Sequence, residues 1–277
     1  MHTIELKIKL IPKNPWSDIL IAELSNHGFD SFVDTDEGIM AYCEDSLDIN
    51  DIISDLESKF KNNVSIELQK KLIPHENWNA QWESNFQPVY IEEYATIVAP
   101  FHKEAKTKGI VLSIEPKMSF GTGHHQTTWM MIKSLFEIGD IPNEVLDMGT
   151  GTGVLAILSE KLGANEVIAI DIDDTSIINL KENLIRNNCQ KIQPVYGDID
   201  KVLGSKFGLI LANINKNILK SHMNVYADAL IRKGKLLLSG FLSSDVDEII
   251  EFVKPFNLDK VRVLSKDEWA CIELIKV

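Results

Sequence analysis

Long hydrophobic runs are absent from this sequence. No stretch of its 277 residues comes near the roughly 18 consecutive apolar residues that a membrane-spanning helix needs. The N-terminus, Met1–Lys7, alternates polar and apolar residues, without the basic start and long apolar core of a secretory signal peptide. We therefore expect a cytoplasmic protein.

Cysteine is also scarce. Cys43, Cys189 and Cys271 lie far apart, with neither the paired spacing of disulfides nor that of zinc ligands, which is typical of a reducing compartment. The adjacent residues His124 and His125 have no third ligand at metal spacing. No metal centre is predicted.

Positive charge is in short supply. The chain has 28 basic and 41 acidic side chains, a formal net charge of -13, and no long cluster of Lys and Arg. Such a surface repels phosphate backbones, so we expect no direct nucleic-acid binding, and it attracts basic protein partners.

Hydrophobic residues make up 44 %, which is enough for a globular core. The chain is longer than the usual ~100–200 residues of one domain, which predicts two domains.

Residues 1–70 alternate strand-like and helix-like patterns. Apolar residues recur at every second position in Ile4–Leu10, which predicts a strand, and helical spacing begins after Pro15. A second helix is predicted with Asp48 or Asn50 as its cap. Further strands are predicted at Phe32–Val33, Ile39–Cys43 and Val64–Leu68. The order β-α-β-β-α-β predicts a small ferredoxin-like α+β domain.

Residues 71–88 are predicted to be a helical linker. Trp78, Trp82 and Phe86 recur every four residues, which places them on one face of a short helix. The interpretation we favour is an aromatic stripe packed between two domains. The alternative is an aromatic contact with the substrate.

Residues 89–277 alternate strands with longer helices, which predicts an α/β domain with a mostly parallel sheet and helices on both faces. Strands are predicted at Ala95–Ala99, Ile110–Ile114, Val145–Met148, Val167–Ile170, Ile192–Tyr196, Leu209–Ala212 and Lys235–Ser239. Helices are predicted at 125–138, 154–162, 174–188, 216–230 and 244–254. The segment from Val261 onward is typical of two strands, and we expect an antiparallel hairpin at the sheet edge.

The strongest local signal is a glycine loop between a strand and a helix. Gly149, Gly151 and Gly153 stand at alternate positions directly after the apolar strand Val145–Met148. Glycine allows a tight turn with positive φ and lets a ligand approach the backbone, and the helix behind the loop offers unpaired N–H groups. By itself this pattern also fits a structural turn.

An acid at the end of the next strand makes the signal specific. Asp171 lies 22 residues after Gly149, directly after Val167–Ile170, at the position where an acid usually holds the ribose hydroxyls of a nucleoside. Strand, glycines, helix, strand and acid together predict nucleoside binding.

Two nucleoside cofactors are compatible with the loop. The frame Gly151-x-Gly153-x-x-Ala156 resembles a dinucleotide fingerprint, so a nicotinamide oxidoreductase is the alternative. Against it, Val154 occupies the third small position in the frame from Gly149. Asp147 is ill suited to a pyrophosphate, and we expect it to face the cationic methionine end of S-adenosylmethionine instead. Asp-x-Gly-x-Gly-x-Gly is the pattern that class I methyltransferases resemble.

Two further polar residues follow later strands. Asp198, after the strand Ile192–Tyr196, is suited to contact the adenine amino group, and a capped turn is the alternative interpretation. Asn213 follows the strand Leu209–Ala212 and is expected at the mouth of the cofactor site.

Several longer motifs make the chain similar to one family. It resembles the PrmA family, the bacterial methyltransferases of the large-subunit ribosomal protein L-eleven. The segments that carry the resemblance are Trp78–Trp82, Met118–Thr128 (Met-Ser-Phe-Gly-Thr-Gly-His-His-Gln-Thr-Thr), the glycine loop, Asp171–Asp173, Ala212–Ile214 and Leu238–Phe241. The histidine-containing run is far more specific than the glycines.

The resemblance implies an N-terminal substrate-recognition domain, a helical linker and a Rossmann-like class I methyltransferase domain that uses S-adenosylmethionine. It implies methylation of lysine side chains and the N-terminal amine of one ribosomal protein. By the family pattern, Thr128, Gly149, Asp171 and Asn213 contact the cofactor, and Gly151 joins them through the glycine loop. Gln126 and Asn215 depart from the family's usual residues, and Asn215 leaves the acceptor side of the pocket less defined.

The residues after the fourth strand favour a tetrahedral amine as the methyl acceptor. The run Asn213–Lys216 lacks the prolines and aromatic residue of the Asn-Pro-Pro-Tyr motif, which clamps planar nitrogens. The catalytic residue is not determined by sequence: Asn213 and His124 are candidates to accept a proton from the amine, with His125 beside them. The alternative for the histidines is a structural role in a lid over the cofactor.

Competing functions are an RNA or small-molecule methyltransferase, the nicotinamide oxidoreductase and a non-catalytic cofactor-binding module. The lack of a basic stripe counts against RNA, and the intact glycines, Asp171 and Asn213 count against a decayed module. We expect a monomer that prefers the free, unassembled ribosomal protein, since an acidic enzyme attracts a basic protein and is repelled by ribosomal RNA.

Overall fold

The computed structural model describes residues 2–74, 78–117 and 119–277, without the side chains of Trp78 and Asn79. The chain divides into two compact units, Met1–Asn85 and Phe86–Val277. This division falls inside the segment 71–88 that the sequence predicts as a linker.

The N-terminal unit begins with six elements in the predicted order. They are β1 (Thr3–Ile11), α1 (Trp16–Asn26), β2 (Ser31–Thr35), β3 (Gly38–Glu44), α2 (Ile49–Phe60) and β4 (Ser65–Ile73). The four strands form an antiparallel sheet in the order β2-β3-β1-β4. This is the ferredoxin-like arrangement, and the prediction is confirmed.

Alternation along β1 explains how this unit builds a core. One face of the strand is buried and packs with apolar residues of α1 and α2; the cluster includes Ile4, Leu6, Ile8, Leu10, Leu20, Leu24 and Leu56. Of the two predicted caps, Asp48 is the one used: its side chain accepts a hydrogen bond from the backbone N–H of Asn50, which lies inside α2.

The end of this unit differs from the predicted linker. β4 continues to Ile73, beyond the predicted boundary at residue 70, because it pairs with β1 along its whole length. A short helix, α3 (Trp78–Asn85), follows, as predicted. Phe86 lies after the end of α3, so it is not on the helix as the stripe requires. Its ring packs against His102 and His124 in the second unit. The side chain of Trp78 lies outside the described residues.

The second unit is built around a seven-stranded sheet. Its elements are α4 (Gln126–Glu137), β8 (Glu144–Met148), α5 (Val154–Lys161), β9 (Glu166–Asp171), α6 (Asp174–Arg186), β10 (Ile192–Tyr196), β11 (Phe207–Asn213), α7 (Lys216–Ala229), β12 (Leu230–Leu242), α8 (Val246–Val253), β13 (Leu258–Lys266) and β14 (Trp269–Lys276), preceded by β5 (Val89–Ile91), β6 (Ala95–Val98) and β7 (Ile110–Ser113).

The strand order of this sheet is β10-β9-β8-β11-β12-β14-β13. The first five strands in this order are parallel, and the C-terminal hairpin of β13 and β14 is paired antiparallel at one edge. Two apolar clusters fill its faces. One includes residues of α4, α5 and α6, and the other includes residues of α7 and α8. The α/β fold class, the helices on both faces and the edge hairpin are confirmed.

The first two strands predicted for the main sheet do not join it. β6 and β7 form a separate three-stranded sheet with β5. At the end of β7, side-chain amides of α6 take the place of a neighbouring strand. Asn187 bonds to both the N–H (2.9 Å) and the carbonyl (2.7 Å) of Ser113, and Asn183 accepts from the N–H of Glu115 at 2.9 Å. Periodicity could not reveal this because the bonds depend on side chains distant in sequence.

No helix within the described residues is long and apolar enough to cross a membrane.

Candidate active site

The glycine loop has the left-handed backbone that only glycine adopts freely. Gly149, Gly151 and Gly153 have φ values of 71°, 54° and 83°. A Cβ at Gly151 would lie 2.2 Å from the carbonyl oxygen of Phe120, and one at Gly149 would lie 2.2 Å from the side chain of Ile214. The loop is therefore pressed against two other segments of the site, and both contacts require glycine.

Asp147 does not have the role that the sequence predicted. Its carboxylate is 1 % exposed and is turned into the loop, where one oxygen accepts from the hydroxyl of Thr150 at 2.6 Å and from the backbone N–H of Ala156 at 3.1 Å. It is not among the residues that line the cavity described below. Burial raises the pKa of Asp147 to about 7, against the effect of these two hydrogen bonds. Asp147 thus holds the shape of the loop, because the same oxygen bonds to Thr150 within the loop and to Ala156 in the first turn of α5.

Asp171 is placed beside the glycines by the pairing of β8 with β9. One of its carboxylate oxygens accepts from the backbone N–H of Gly151 at 2.9 Å, and the other accepts from that of Asp173 at 3.0 Å. Gly149 and Thr150 both donate to the carbonyl of Ile170. The acid and the loop are therefore one hydrogen-bonded unit, with lone pairs left on each carboxylate oxygen.

A cavity of about 560 Å³ opens over this unit. Five of the predicted site residues line it: Gly149, Gly151, Asp171, Asp198 and Asn213. The other lining residues are Ser119, Phe120, Met148, Ile172, Asp173, Ser176, Ile214, Ile218, Ser221 and His222. This volume is in the range of small-molecule and cofactor sites, and its polar groups are few and convergent.

Asn213 and Thr128 form a pair at the end of β11. The side-chain amide of Asn213 donates to the hydroxyl of Thr128 at 3.4 Å. Thr128 is buried on α4 and is not among the lining residues, so it contacts Asn213 without itself lining the cavity. The other amide atom, Oδ1 of Asn213, is buried without a hydrogen-bond partner among the described residues. An unpaired buried acceptor costs about 1–3 kcal/mol, which indicates a position kept for a donor from a ligand.

The two histidines are not among the residues that line the cavity. His124 Nε2 lies 3.0 Å from the carbonyl oxygen of Gln87, and its ring packs on that of Phe86. His125 caps α4, accepting from the backbone N–H of Thr127, and its ring packs edge-on against Trp269. Burial lowers the pKa of His125. These contacts match the structural role that the sequence left as the alternative.

The segment just before these histidines is hydrogen-bonded to the glycine loop. Thr152 donates its backbone N–H to the carbonyl of Phe120 at 2.9 Å and its hydroxyl to the carbonyl of Gly121 at 2.8 Å. Phe120 itself is exposed and lines the cavity. The most specific motif of the sequence therefore forms one wall of the cavity.

Sequence reasoning missed the contribution of α7. Ile218 and His222, four residues apart on this helix, both line the cavity, and the side chain of His222 lies 3.4 Å from that of Asp198. Helical spacing after Asn213 was the available signal, but it does not distinguish a cavity wall from a core position. Asp198 caps a short turn at Ile199, which is the alternative interpretation, and it also lines the cavity; its contact with adenine stays a prediction.

Comparison with known proteins decides the family. The model of the family described as "Ribosomal protein L11 methyltransferase (PrmA)" matches residues 20–276. A ribosomal protein L11 methyltransferase of Porphyromonas gingivalis is 41 % identical over 258 residues, which are 92 % of this chain and 89 % of the relative. That of Phocaeicola vulgatus is 37 % identical over 262 residues, 94 % of this chain and 93 % of the relative.

The chain belongs to the PrmA family. The resemblance drawn from the motifs is confirmed, and with it the prediction of a methyltransferase rather than an oxidoreductase. A crystal structure of another family protein, the ribosomal protein L11 methylase of Lactobacillus delbrueckii subsp. bulgaricus, matches with a TM-score of 0.65 and 25 % identity. The match covers 69 % of this chain and all of that one.

Proposed function

We propose that this PrmA-family chain transfers methyl groups from S-adenosylmethionine to lysine side chains and the N-terminal amine of ribosomal protein L11. The substrate is the one that the names of its relatives state. The observation that carries the proposal is the buried Oδ1 of Asn213, which has no hydrogen-bond partner among the described residues and belongs to a residue that lines the cavity with Asp171 and the glycine loop. This oxygen is the acceptor that we assign to an N–H of the amine.

The residues present fit S-adenosylmethionine. Asp171 has lone pairs for two vicinal ribose hydroxyls, and Gly149 and Gly151 let a ligand reach the loop backbone without a Cβ in the way. Ile172 lines the cavity and is 63 % exposed, an apolar surface suited to one face of adenine. Asp198 supplies an acceptor for the adenine amino group. Thr128 acts on the cofactor site through Asn213.

The bound cofactor supplies an electrophilic methyl group on a sulfonium centre. The protein has to present a neutral amine in line with that methyl, although a free lysine has a pKa of about 10.4. The acids that line the cavity attract the ammonium form to the site, and burial beside a cation favours the loss of its proton to water before the nitrogen attacks. The Oδ1 of Asn213 accepts one N–H and thereby directs the nitrogen lone pair. His124 is a weaker candidate for this role, because its ring is engaged with Gln87 and Phe86.

The charge of the chain supports a free ribosomal protein as the substrate. At a net charge of -13 the enzyme attracts a basic protein and is repelled by ribosomal RNA. We propose that residues 1–70 recognise the substrate, that 71–88 act as a linker and that 89–277 carry out transfer. We also propose that the chain acts as a monomer without binding nucleic acid directly.

The test is mass spectrometry of free ribosomal protein L11 after incubation with the enzyme and S-adenosylmethionine. We expect the wild type to add methyl groups at amines, and Asn213→Ala to lower the rate about a hundredfold, as loss of one oriented polar group at a reacting centre does. Asn217→Ala is the matched control, because Asn217 is an exposed asparagine on the neighbouring helix.

Two results would contradict the proposal. One is a wild type that leaves free ribosomal protein L11 unmodified while it methylates RNA or a small amine. The other is an Asn213→Ala variant that is as active as the Asn217→Ala control. Faster methylation of intact large ribosomal subunits than of the free protein would contradict the preference for the unassembled substrate.

A further inference from the structure

One of the residues that α7 contributes to the wall of the cavity is a buried histidine. His222 is 7 % exposed, lines the cavity, and has a different partner at each ring nitrogen. Nδ1 lies 3.2 Å from the hydroxyl of Tyr226, one helical turn further along α7. Nε2 lies 3.4 Å from Oδ1 of Asp198, in the loop after β10.

The two partners define which nitrogen of His222 has the proton. The carboxylate of Asp198 can only accept, so the proton of a neutral ring is on Nε2, which faces it. Nδ1 is then free to accept from the hydroxyl of Tyr226, which is fully buried and whose pKa burial raises. Burial also lowers the pKa of His222, although Asp198 acts in the opposite direction. A neutral imidazole of this tautomer presents an N–H to the acceptor Asp198 and an unprotonated nitrogen to the hydroxyl of Tyr226.

Asp198 needs such a partner because it is otherwise loosely held. Its side chain is 54 % exposed, and its Oδ1 accepts only from the backbone N–H of Ile199, at 2.7 Å, among the hydrogen bonds within the described residues. The ring of His222 lies against the same oxygen, with Nε2 at 3.4 Å, and so limits the rotation of the carboxylate on that side. Oδ2 is then the oxygen left to accept from a ligand.

Asp171 and Asp198 are spaced so that one acid can bind the ribose of an adenosine and the other its base. β9 and β10 are parallel neighbours, with Tyr196 opposite Asp171, and Gly197 donates its N–H to the carbonyl of Asp171 at 3.0 Å. The two acids therefore follow adjacent strand ends and line the same cavity. With ribose at Asp171, the purine base extends toward Asp198 and His222.

We propose that His222, oriented by Tyr226, is a positioning residue that fixes the Asp198 carboxylate for the exocyclic amino group of adenine. The site is thereby selective for a 6-aminopurine over a 6-oxopurine, whose exocyclic carbonyl oxygen would face the carboxylate without a proton between them. This inference rests on the proposed cofactor.

The test is calorimetric titration of the full chain with S-adenosylhomocysteine and with its 6-oxo analogue, S-inosylhomocysteine. We expect the wild type to bind the adenine compound at least about tenfold more tightly, the effect of one hydrogen bond to a charged group. Asp198→Asn offers both a donor and an acceptor, so it should bind the two compounds with similar affinity. Asp198 is exposed enough for this variant to fold.

A matched pair of substitutions isolates His222. In His222→Asn the amide reaches the position of Nδ1, so Tyr226 keeps an acceptor, but nothing reaches Asp198. In His222→Gln the longer amide places an N–H near the position of Nε2. We expect His222→Asn to lose about tenfold in affinity for S-adenosylhomocysteine together with its preference over the 6-oxo compound. His222→Gln should retain both, which a purely structural role of the residue does not predict.

Four outcomes overturn the inference. If His222→Asn keeps the wild-type preference, or if His222→Gln loses as much preference as His222→Asn, the residue does not act through Asp198. If the wild type binds both compounds equally, the selectivity is absent although the proposed cofactor stands. If the wild type binds neither compound, the proposed function fails as well.

Discussion

The side-chain amide of Asn213 donates to the hydroxyl of Thr128 at 3.4 Å, and this bond joins the end of β11 to α4 across 85 residues of sequence. It leaves Oδ1 of Asn213 buried with no partner in the described part of the chain. We propose that this bond holds the amide of Asn213 in one orientation relative to the cavity. Thr128, which the family pattern assigns to the cofactor, contacts Asn213 and is not among the residues that line the cavity.

Replacing Thr128 tests this relationship. Thr128→Val keeps the shape of the side chain but removes the hydroxyl, so the amide of Asn213 can turn and offer its NH₂ instead of its oxygen. We expect turnover to fall about 2- to 10-fold, the effect of one neutral hydrogen bond. Thr128→Ser keeps the hydroxyl and should retain the wild-type rate. Steady-state methylation kinetics give the answer, and equal rates for the Val and Ser variants would rule out the orienting role.

His124→Ala tests whether this histidine is the proton acceptor. Because its ring is engaged with Gln87 and Phe86 and does not line the cavity, we expect turnover at saturating substrates to stay near that of the wild type. A general base contributes about 10²- to 10⁴-fold, so a loss of that size would instead establish His124 as the base.

His125→Ala tests whether the side chain of His125 stabilises the fold as the cap of α4. His125 caps α4, and losing a helix cap costs about 1 kcal/mol of stability. This variant should therefore lower the melting temperature more than His124→Ala does. Thermal unfolding followed by circular dichroism compares the two, and identical melting temperatures would contradict the capping role.

The buried carboxyl of Asp147 should make stability depend on pH. Burial raises its pKa to about 7 in the folded chain, well above its value in an unfolded chain of about 3.9. The folded state therefore binds the proton more tightly, and the stabilisation that this provides is complete below about pH 4 and is lost as pH rises to about 7. Over that window the free energy of unfolding of the wild type should fall relative to that of Asp147→Asn, by an amount on the order of 4 kcal/mol.

Asp173→Asn is the control of opposite sign. Hydrogen bonds from Thr175 lower the pKa of Asp173, so its contribution to stability is present above its unfolded pKa and is lost as pH falls through its folded value. Chemical denaturation measures both differences, over about pH 4 to 7 for Asp147 and below about pH 4 for Asp173. A wild type and an Asp147→Asn variant with parallel stability curves would show that Asp147 titrates normally.

Elements with strong local patterns were predictable from the sequence. The alternation in β1, the helical spacing in α2 and the glycine loop between β8 and α5 are properties of neighbouring residues, so they place these elements to within a few positions. Asp171 follows from the same logic, since an acid at the end of the second strand lies at the same sheet edge as the loop after the first. These features suffice for the α/β class and for one half of the candidate site.

Features that depend on distant contacts were not predictable. The separate sheet of β5, β6 and β7 is bounded by the amides of Asn183 and Asn187, residues remote in the chain. Asp147 was expected to face the ligand because it adjoins the loop, but its orientation is decided by hydrogen bonds from Thr150 and Ala156. His222 enters the site only because α7 packs beside the loop and short turn that follow β10, which no local pattern encodes.

The central claim is that Asp171 and the glycine loop bind S-adenosylmethionine, and calorimetric titration tests it most directly. The wild type and Asp171→Ala are each titrated with S-adenosylmethionine and with NADH, with Asp174→Ala, an exposed acid in the first turn of α6, as the control. The account predicts that the wild type and the control bind S-adenosylmethionine but not NADH, and that Asp171→Ala binds it at least about tenfold more weakly. Binding of NADH in place of S-adenosylmethionine, or equal affinity of wild type and Asp171→Ala for S-adenosylmethionine, would contradict it.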